Sequence, residues 1–171
     1  MEMEIEMEMN RKGGMSEEEK AYARMTRLCS QKECAPFDIA GKLQGMGLPE
    51  PERDRIVDRL RREKYIDEER FVRSYIRDKL RFDKWGRRKI AFYLKQKQLP
   101  QELIEEAFSE LPTDSFEESL QSILDRKWKT VKGRSDREKR DKLIRYALSR
   151  GYSPDEVTAC MKKMQTEEDL Q

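Results

Sequence analysis

The sequence predicts an all-α protein, built as three tandem three-helix modules that form an elongated, curved array. Charged residues make up 42% of the 171 residues and hydrophobic residues 36%, which suits thin helical layers better than one broad core. Only 8 Gly and 6 Pro occur, and long stretches of Glu, Lys, Arg, Leu and Gln favour helix. A third observation, a recurring helix-ending segment, predicts the modular organisation.

The recurring segment appears as "LQGMGLP" (43–49), "LKQKQLP" (94–100) and "ALSRGYSP" (147–154). Each copy ends a predicted helix and is followed by another helix with an apolar pair. The pivotal residues Gly47, Gln98 and Gly151 lie 51 and 53 positions apart (98 − 47 and 151 − 98). A repeat of this length indicates tandem helical modules rather than one globule.

The first module is predicted over residues 16–64. A capping-box pattern of Ser16 with Glu19 begins its first helix, and Pro36 begins the second. The third helix runs from Pro51 to Lys64, with an apolar face.

The second module is predicted over residues 65–111. Asp67 caps a long helix that ends near residues 82–84, and "KWG" makes the following turn. The fifth helix carries Ile90, Tyr93 and Leu94, and the sixth begins at Pro100.

The third module is predicted over residues 112–165, with helices that begin at Ser115, Ser135 and Ser153. Four residues of the middle helix of this module are expected to face inward: Leu143, Ile144, Ala147 and Leu148. Because tandem modules are semi-independent, we expect removal of residues 112–171 to leave the remainder folded.

Both ends of the chain are predicted to be disordered, over residues 1–15 and 166–171. The opening "MEMEIEMEMNRKGG" alternates acidic and apolar residues like a strand, but no partner strand is predicted for it. Met1 and Met15 both remain candidates for the true start. No apolar run has the length of a membrane span, and we expect a cytoplasmic protein.

The sequence predicts no catalytic, cofactor-binding or metal site. There is no histidine, which removes the commonest general base and the usual Cys/His zinc arrangements. The three cysteines, Cys29, Cys34 and Cys160, lack paired ligand spacing and are interpreted as buried or incidental thiols.

Charge is distributed unevenly although the net charge is only +2. Residues 61–97 hold 14 Lys/Arg and 6 Asp/Glu, residues 98–125 hold 8 acids and no cation, and residues 126–150 hold 11 cations and 3 acids. Two dense basic blocks indicate local attraction for a polyanion. The alternative is that these charges are solvated helix faces.

Two segments, "YIDEERFVRSYI" (65–76) and "WGRRKIAFYLKQKQL" (85–99), resemble the RecX family, the regulators of the bacterial RecA recombinase. The resemblance covers most of the chain and is strongest over residues 65–108. Gln98 departs from it, because the family usually has glycine there, and glutamine tolerates positive φ poorly.

The resemblance implies a monomeric, non-enzymatic regulator that docks in the groove of the RecA filament on single-stranded DNA. Such a protein slows ATP hydrolysis and strand exchange in homologous recombination, DNA repair and the SOS response. Gly86 is expected to allow a tight change of direction before a cationic helix start, and cations there oppose the helix dipole. The expected filament contacts are Arg73, Arg77, Lys84, Arg87, Arg88, Lys89, Lys95 and Lys97.

Two other functions stay open at the sequence level. The chain could act alone as a sequence-independent nucleic-acid-binding protein, although a pI of about 8.3 fits only weak direct binding to DNA. It could instead be a helical scaffold for another protein. Trp85 is open between packing and contact with a partner.

Overall fold

The computed structural model describes residues 14–170, and all regular secondary structure in this part of the chain is helical. The predicted all-α class is therefore confirmed. The chain divides into two compact units, unit 1 (Met1–Phe71) and unit 2 (Val72–Gln171). The disordered extension predicted for residues 1–15 lies, up to residue 13, outside the described residues.

Unit 1 contains three helices around one apolar core. They are α1 (Glu17–Gln31), α2 (Pro36–Gly45) and α3 (Glu50–Arg62). The Ser16 hydroxyl accepts a hydrogen bond from the Glu19 N–H at 3.2 Å, which is the cap predicted from the sequence. The most buried core residues are Ile39, Leu43, Ile56, Leu60 and Ile66.

Helix α4 (Glu68–Asp78) is capped by Asp67, whose carboxylate accepts from the Arg70 N–H at 2.9 Å. A π-helical segment (Lys79–Asp83) follows, and it ends where the sequence predicts the end of the long helix. The helices that lie entirely in unit 2 are α5 (Arg87–Gln96), α6 (Gln101–Ser109), α7 (Ser115–Thr130), α8 (Asp136–Ser149) and α9 (Pro154–Asp169).

The three pivotal residues of the repeat all have left-handed backbone conformations. The φ angles are 81° at Gly47, 58° at Gln98 and 99° at Gly151. Each therefore ends its helix in the same way, by a left-handed residue that breaks the hydrogen-bond pattern. Gln98 adopts this conformation although it carries a side chain.

Two of the three serine caps predicted in the last module form. Ser153 and Glu156 make a complete capping box, and Ser135 accepts from the Glu138 N–H at 3.2 Å. Ser115 is instead the first residue of α7, and its hydroxyl donates to the Pro112 carbonyl at 2.8 Å.

Unit 2 differs from the sequence prediction in two helices, α8 and α9. Ile144 and Leu148 were expected to face inward, but they lie on the exposed side of α8, whereas Leu143 and Ala147 are buried. Helix α9 also continues to Asp169, beyond residue 166 where a disordered tail was predicted. The buried residues around α7, α8 and α9 are Leu120, Ile123, Leu124, Leu143, Ala147, Tyr152, Val157 and Cys160.

Candidate functional site

The backbone that precedes α5 meets the backbone that follows α8 at two glycines. The Gly86 N–H donates to the Arg150 carbonyl at 2.8 Å, and the Arg88 N–H donates to the Gly151 carbonyl at 3.2 Å. A Cβ on Gly86 would lie 2.4 Å from the carbonyl carbon and oxygen of Gly151. Since Gly86 has φ −78°, glycine is required there by this close approach and not by the turn. The left-handed residue of the turn is Lys84, with φ 55°.

Residues 83–89 and 149–152 together form what we call the junction. Tyr152 is buried there, and its hydroxyl oxygen lies 2.9 Å from the Lys84 carbonyl oxygen and 2.9 Å from Ser119 Oγ. A carbonyl can only accept, so the hydroxyl donates to Lys84 and accepts from Ser119. Burial raises the pKa of Tyr152 to about 12, and the hydroxyl therefore remains a donor at neutral pH.

The junction brings opposite helix ends together. The N-terminus of α5 presents N–H groups, and the C-terminus of α8 presents carbonyls, that have no partner within their own helices, so the two helix dipoles attract. Helix α8 has no basic residue in its own last turn. Lys89 supplies a cation at this end, because its Nζ donates to the Ser149 carbonyl at 3.4 Å. The cations that oppose the dipole of α5 thus lie beside the negative end of α8.

Arg87 and Trp85 both pack on aromatic rings. The Arg87 guanidinium carbon lies 4.9 Å from the ring centroid of Phe108 and 5.4 Å from that of Phe116. Trp85 is half-buried and stacks on Tyr93, with ring centroids 5.2 Å apart and planes inclined by 28°. These contacts assign packing roles to both residues, with a cation–π contribution at Arg87.

Trp85 also lies between two lysines. Lys79 Nζ and Lys89 Nζ are each 4.6 Å from a ring centroid of its indole. Lys79 in addition pairs with Asp83 at 3.2 Å. Both ammonium groups are therefore held close to the indole by attraction to its π system.

Arg73 lies in an ion pair on the surface of unit 2. Its Nε and Nη2 are each 2.8 Å from an oxygen of the Glu110 carboxylate, which links α4 to residue 110 after α6. The hydrogen bond from Arg73 lowers the pKa of Glu110. Arg77 is exposed and lies 3.8 Å from Asp78, a looser pair.

Four further cations complete the set predicted from the sequence. Lys84 and Lys97 are half-buried at helix ends, whereas Arg88 and Lys95 are exposed on α5. Within residues 14–170, neither Arg88 nor Lys95 forms an ion pair. The eight cations therefore divide into residues that hold unit 2 together and residues that extend into solvent.

An exposed phenylalanine lies between the two solvent-facing cations of α5. Phe92 follows Arg88 by four residues and precedes Lys95 by three, so the three share one face of the helix. Its side chain is 56% exposed. The sequence prediction missed Phe92; of the three residues it named on this helix, Ile90 and Leu94 are buried and Tyr93 is 37% exposed. The helical spacing of Phe92 from Arg88 was the available signal.

In the second basic block, part of the charge also packs on aromatic rings. Lys127 Nζ lies 4.8 Å from the ring centroid of Tyr146, and Lys139 Nζ lies 5.6 Å from that of Trp128. Lys142 Nζ donates to the Lys132 carbonyl at 2.5 Å. Such contacts cover aromatic surface and leave the charges near solvent.

The described residues contain no group of three or more His, Cys, Asp or Glu side chains that could hold a metal ion. The three cysteines are free thiols, and burial raises the pKa of Cys29 to about 12. Across residues 14–170 there is also no helix with the length and apolarity that crossing a membrane requires.

Two family models match unit 2 and the start of α4. The model for the second three-helix domain of RecX matches residues 67–107, and the model for the third matches residues 115–161. These ranges fall inside the second and third modules predicted from the sequence.

Curated relatives extend the similarity toward the N-terminus. The chain is 31% identical over 128 residues to the "Regulatory protein RecX" of Clostridium tetani, which covers 74% of this chain and 58% of that protein. It is 27% identical over 151 residues to the "Regulatory protein RecX" of Prosthecochloris aestuarii, covering 88% of this chain and 97% of that one. The chain thus spans little more than half of the first relative and nearly all of the second.

Solved structures have the same fold. A crystal structure of regulatory protein RecX aligns with a TM-score of 0.76 at 23% identity, over 85% of this chain and 73% of that chain. RecX from Lactobacillus salivarius aligns with a TM-score of 0.74 at 18% identity, over 87% and 97%. Together with the two domain matches and the curated relatives, these alignments show that the chain belongs to the RecX family of regulatory proteins.

Proposed function

We propose that this chain regulates the RecA recombinase by binding the RecA filament on single-stranded DNA through the solvent-facing cations of α5. In this role it suppresses ATP hydrolysis and strand exchange by the filament, and it catalyses no reaction itself. The observation that carries the proposal is family membership combined with α5 and its C-cap, residues 87–97, which hold five cations and no acid.

The contacts within unit 2 indicate which cations are available to a partner. Arg87 and Lys89 pack on aromatic rings and on a carbonyl, and Arg73 is paired with Glu110. Arg88 and Lys95 are exposed on one face of α5. Cations on a rigid helix attract phosphates or carboxylates without first giving up a partner. We therefore propose Arg88 and Lys95 as primary contacts, with Arg77 as a weaker one.

Co-sedimentation with RecA filaments tests this proposal. The parent chain is expected to pellet with filaments on single-stranded DNA, and the double variant Arg88→Glu/Lys95→Glu is expected to stay in the supernatant. Neither side chain holds the junction, so the thermal melting temperature should not change.

A matched control is available on α1 in unit 1. Arg24 and Arg27 are exposed cations without an ion pair in the described residues, and Arg24→Glu/Arg27→Glu changes the net charge by the same amount. This control is expected to pellet like the parent. If the parent itself fails to pellet, the proposal of a RecA regulator is wrong, and the chain is a scaffold for a different partner.

A further inference from the structure

Phe92 lies on the exposed face of α5 but is not among the residues proposed above to contact the filament. The residue is 56% exposed, and its ring packs edge-on against Tyr93, with centroids 5.4 Å apart and planes at 82°. Tyr93 in turn stacks on Trp85. Phe92 thus packs on one side against Tyr93, and more than half of the residue remains open to solvent.

The charges around Phe92 are all of one sign along its helix. Arg88 and Lys95 lie one turn before and one turn after it on the same face, about 10 Å apart along the axis. Helix α5 contains no acidic residue. An exposed aromatic ring between two unpaired cations combines a stacking surface with two phosphate-binding groups.

We propose that this face of α5 binds single-stranded nucleic acid directly, with a nucleobase stacked on Phe92 and backbone phosphates bound by Arg88 and Lys95. The carboxylates of an acidic protein surface would pair with the cations, but they would provide no ring for the exposed phenyl group to stack on. Bases of a duplex are already stacked on each other, whereas those of a single strand present free faces to aromatic side chains. The inference rests on the proposed function, because it names the filament component that α5 contacts.

The test uses the full chain and a fluorescein-labelled oligothymidylate, with an abasic oligomer of equal phosphate number as the second probe. Binding is measured by fluorescence anisotropy over a range of NaCl concentrations. Phe92→Leu keeps an apolar side chain but removes the π face. We expect it to weaken oligothymidylate binding by about 5- to 150-fold and to leave both the salt dependence and abasic binding unchanged.

Three further variants separate stacking from charge and from general damage. Phe92→Trp should restore oligothymidylate binding, because tryptophan also stacks. Arg88→Gln/Lys95→Gln should weaken binding to both probes and reduce the slope of log K against log salt by about 1.4, since each phosphate contact on a single strand contributes about 0.7. Phe37→Leu, at an exposed phenylalanine of α2 in unit 1, should bind like the parent.

Several results would overturn the inference. Failure of the parent to bind oligothymidylate would do so, and so would equal affinity of Phe92→Leu and the parent. A loss of RecA suppression in Phe92→Leu with unchanged oligothymidylate binding would assign this face to a protein partner instead. The function proposed above is judged separately, by RecA co-sedimentation of the parent, so failure of one is distinguishable from failure of the other.

Discussion

Gly86 and Gly151 show how single residues determine the packing of unit 2. Their backbones touch across 65 positions of sequence, and the site of contact is the N-terminus of the candidate helix. Any side chain on Gly86 meets backbone atoms of Gly151 and Tyr152, which cannot move aside as a flexible side chain can. The position is therefore a sensitive test of whether the junction forms in solution.

We predict that Gly86→Ala destabilises the protein by about 1–3 kcal/mol, the usual cost of forcing an extra methyl into a packed site. Gly41→Ala is the control, since a Cβ there meets nothing within 4 Å and Gly41 lies inside α2. It should stabilise by about 0.5–1 kcal/mol, because alanine favours helix. Urea unfolding measures both changes. Unchanged stability of Gly86→Ala would show that the two backbones do not approach in this way.

Local sequence determines where a helix begins and ends more closely than it determines which other residues the helix packs against. The caps at Ser16, Asp67 and Ser153 were predictable, because each depends on a few adjacent residues. The glycines that end the first and third repeats were predictable in the same way, whereas the left-handed conformation of Gln98 was not. The partners across the junction were not, since nothing local to Gly86 identifies Gly151. The exposed positions of Phe92 and Ile144 were missed for the same reason. Periodicity identifies an apolar side chain, but packing decides which neighbour covers it.

Helix α5 carries strain at the residue after its C-terminal turn. Gln98 has φ 58°, a conformation that costs a residue with a Cβ about 1–2 kcal/mol. Gln98→Gly removes this cost, partly offset by the greater freedom of glycine in the unfolded chain. We predict a net gain of about 0.5–1 kcal/mol.

The control for this prediction is Gln96→Gly, inside the last turn of α5, where glycine should cost up to about 1 kcal/mol. Both variants can be compared by thermal melting beside the parent. A lower melting temperature for Gln98→Gly would contradict the left-handed conformation at residue 98.

At the scale of the whole molecule, the division into units changes one expectation drawn from the repeats. Three similar modules predicted semi-independent folding, but residues 72–171 form one compact unit. The backbone acceptors for Gly86 and Arg88 belong to Arg150 and Gly151, in the last module. Removing that module would leave the start of α5 without these acceptors, and it would expose the Phe108 ring under Arg87 because Phe116 is removed with the module.

We therefore predict that a chain ending at residue 111 loses amide-exchange protection in α5 and α6 while helices α1 to α3 keep theirs. Hydrogen exchange followed by mass spectrometry of peptides would measure this. A chain ending at residue 165 keeps the junction and serves as the control, with protection like that of the full chain. Undiminished protection of α5 in the shorter chain would support three independent modules.

The central functional claim is that a member of a regulatory family uses the solvent-facing cations of α5 to act on RecA. The most direct measurement is ATP hydrolysis by RecA on single-stranded DNA at increasing concentrations of each protein. The parent and Arg24→Glu/Arg27→Glu should suppress hydrolysis equally. Arg88→Glu/Lys95→Glu should need a concentration higher by on the order of tenfold or more, with an unchanged melting temperature. Full suppression by this variant at the parent's concentration would contradict the claim and would show that both cations belong to an ordinary solvated helix face.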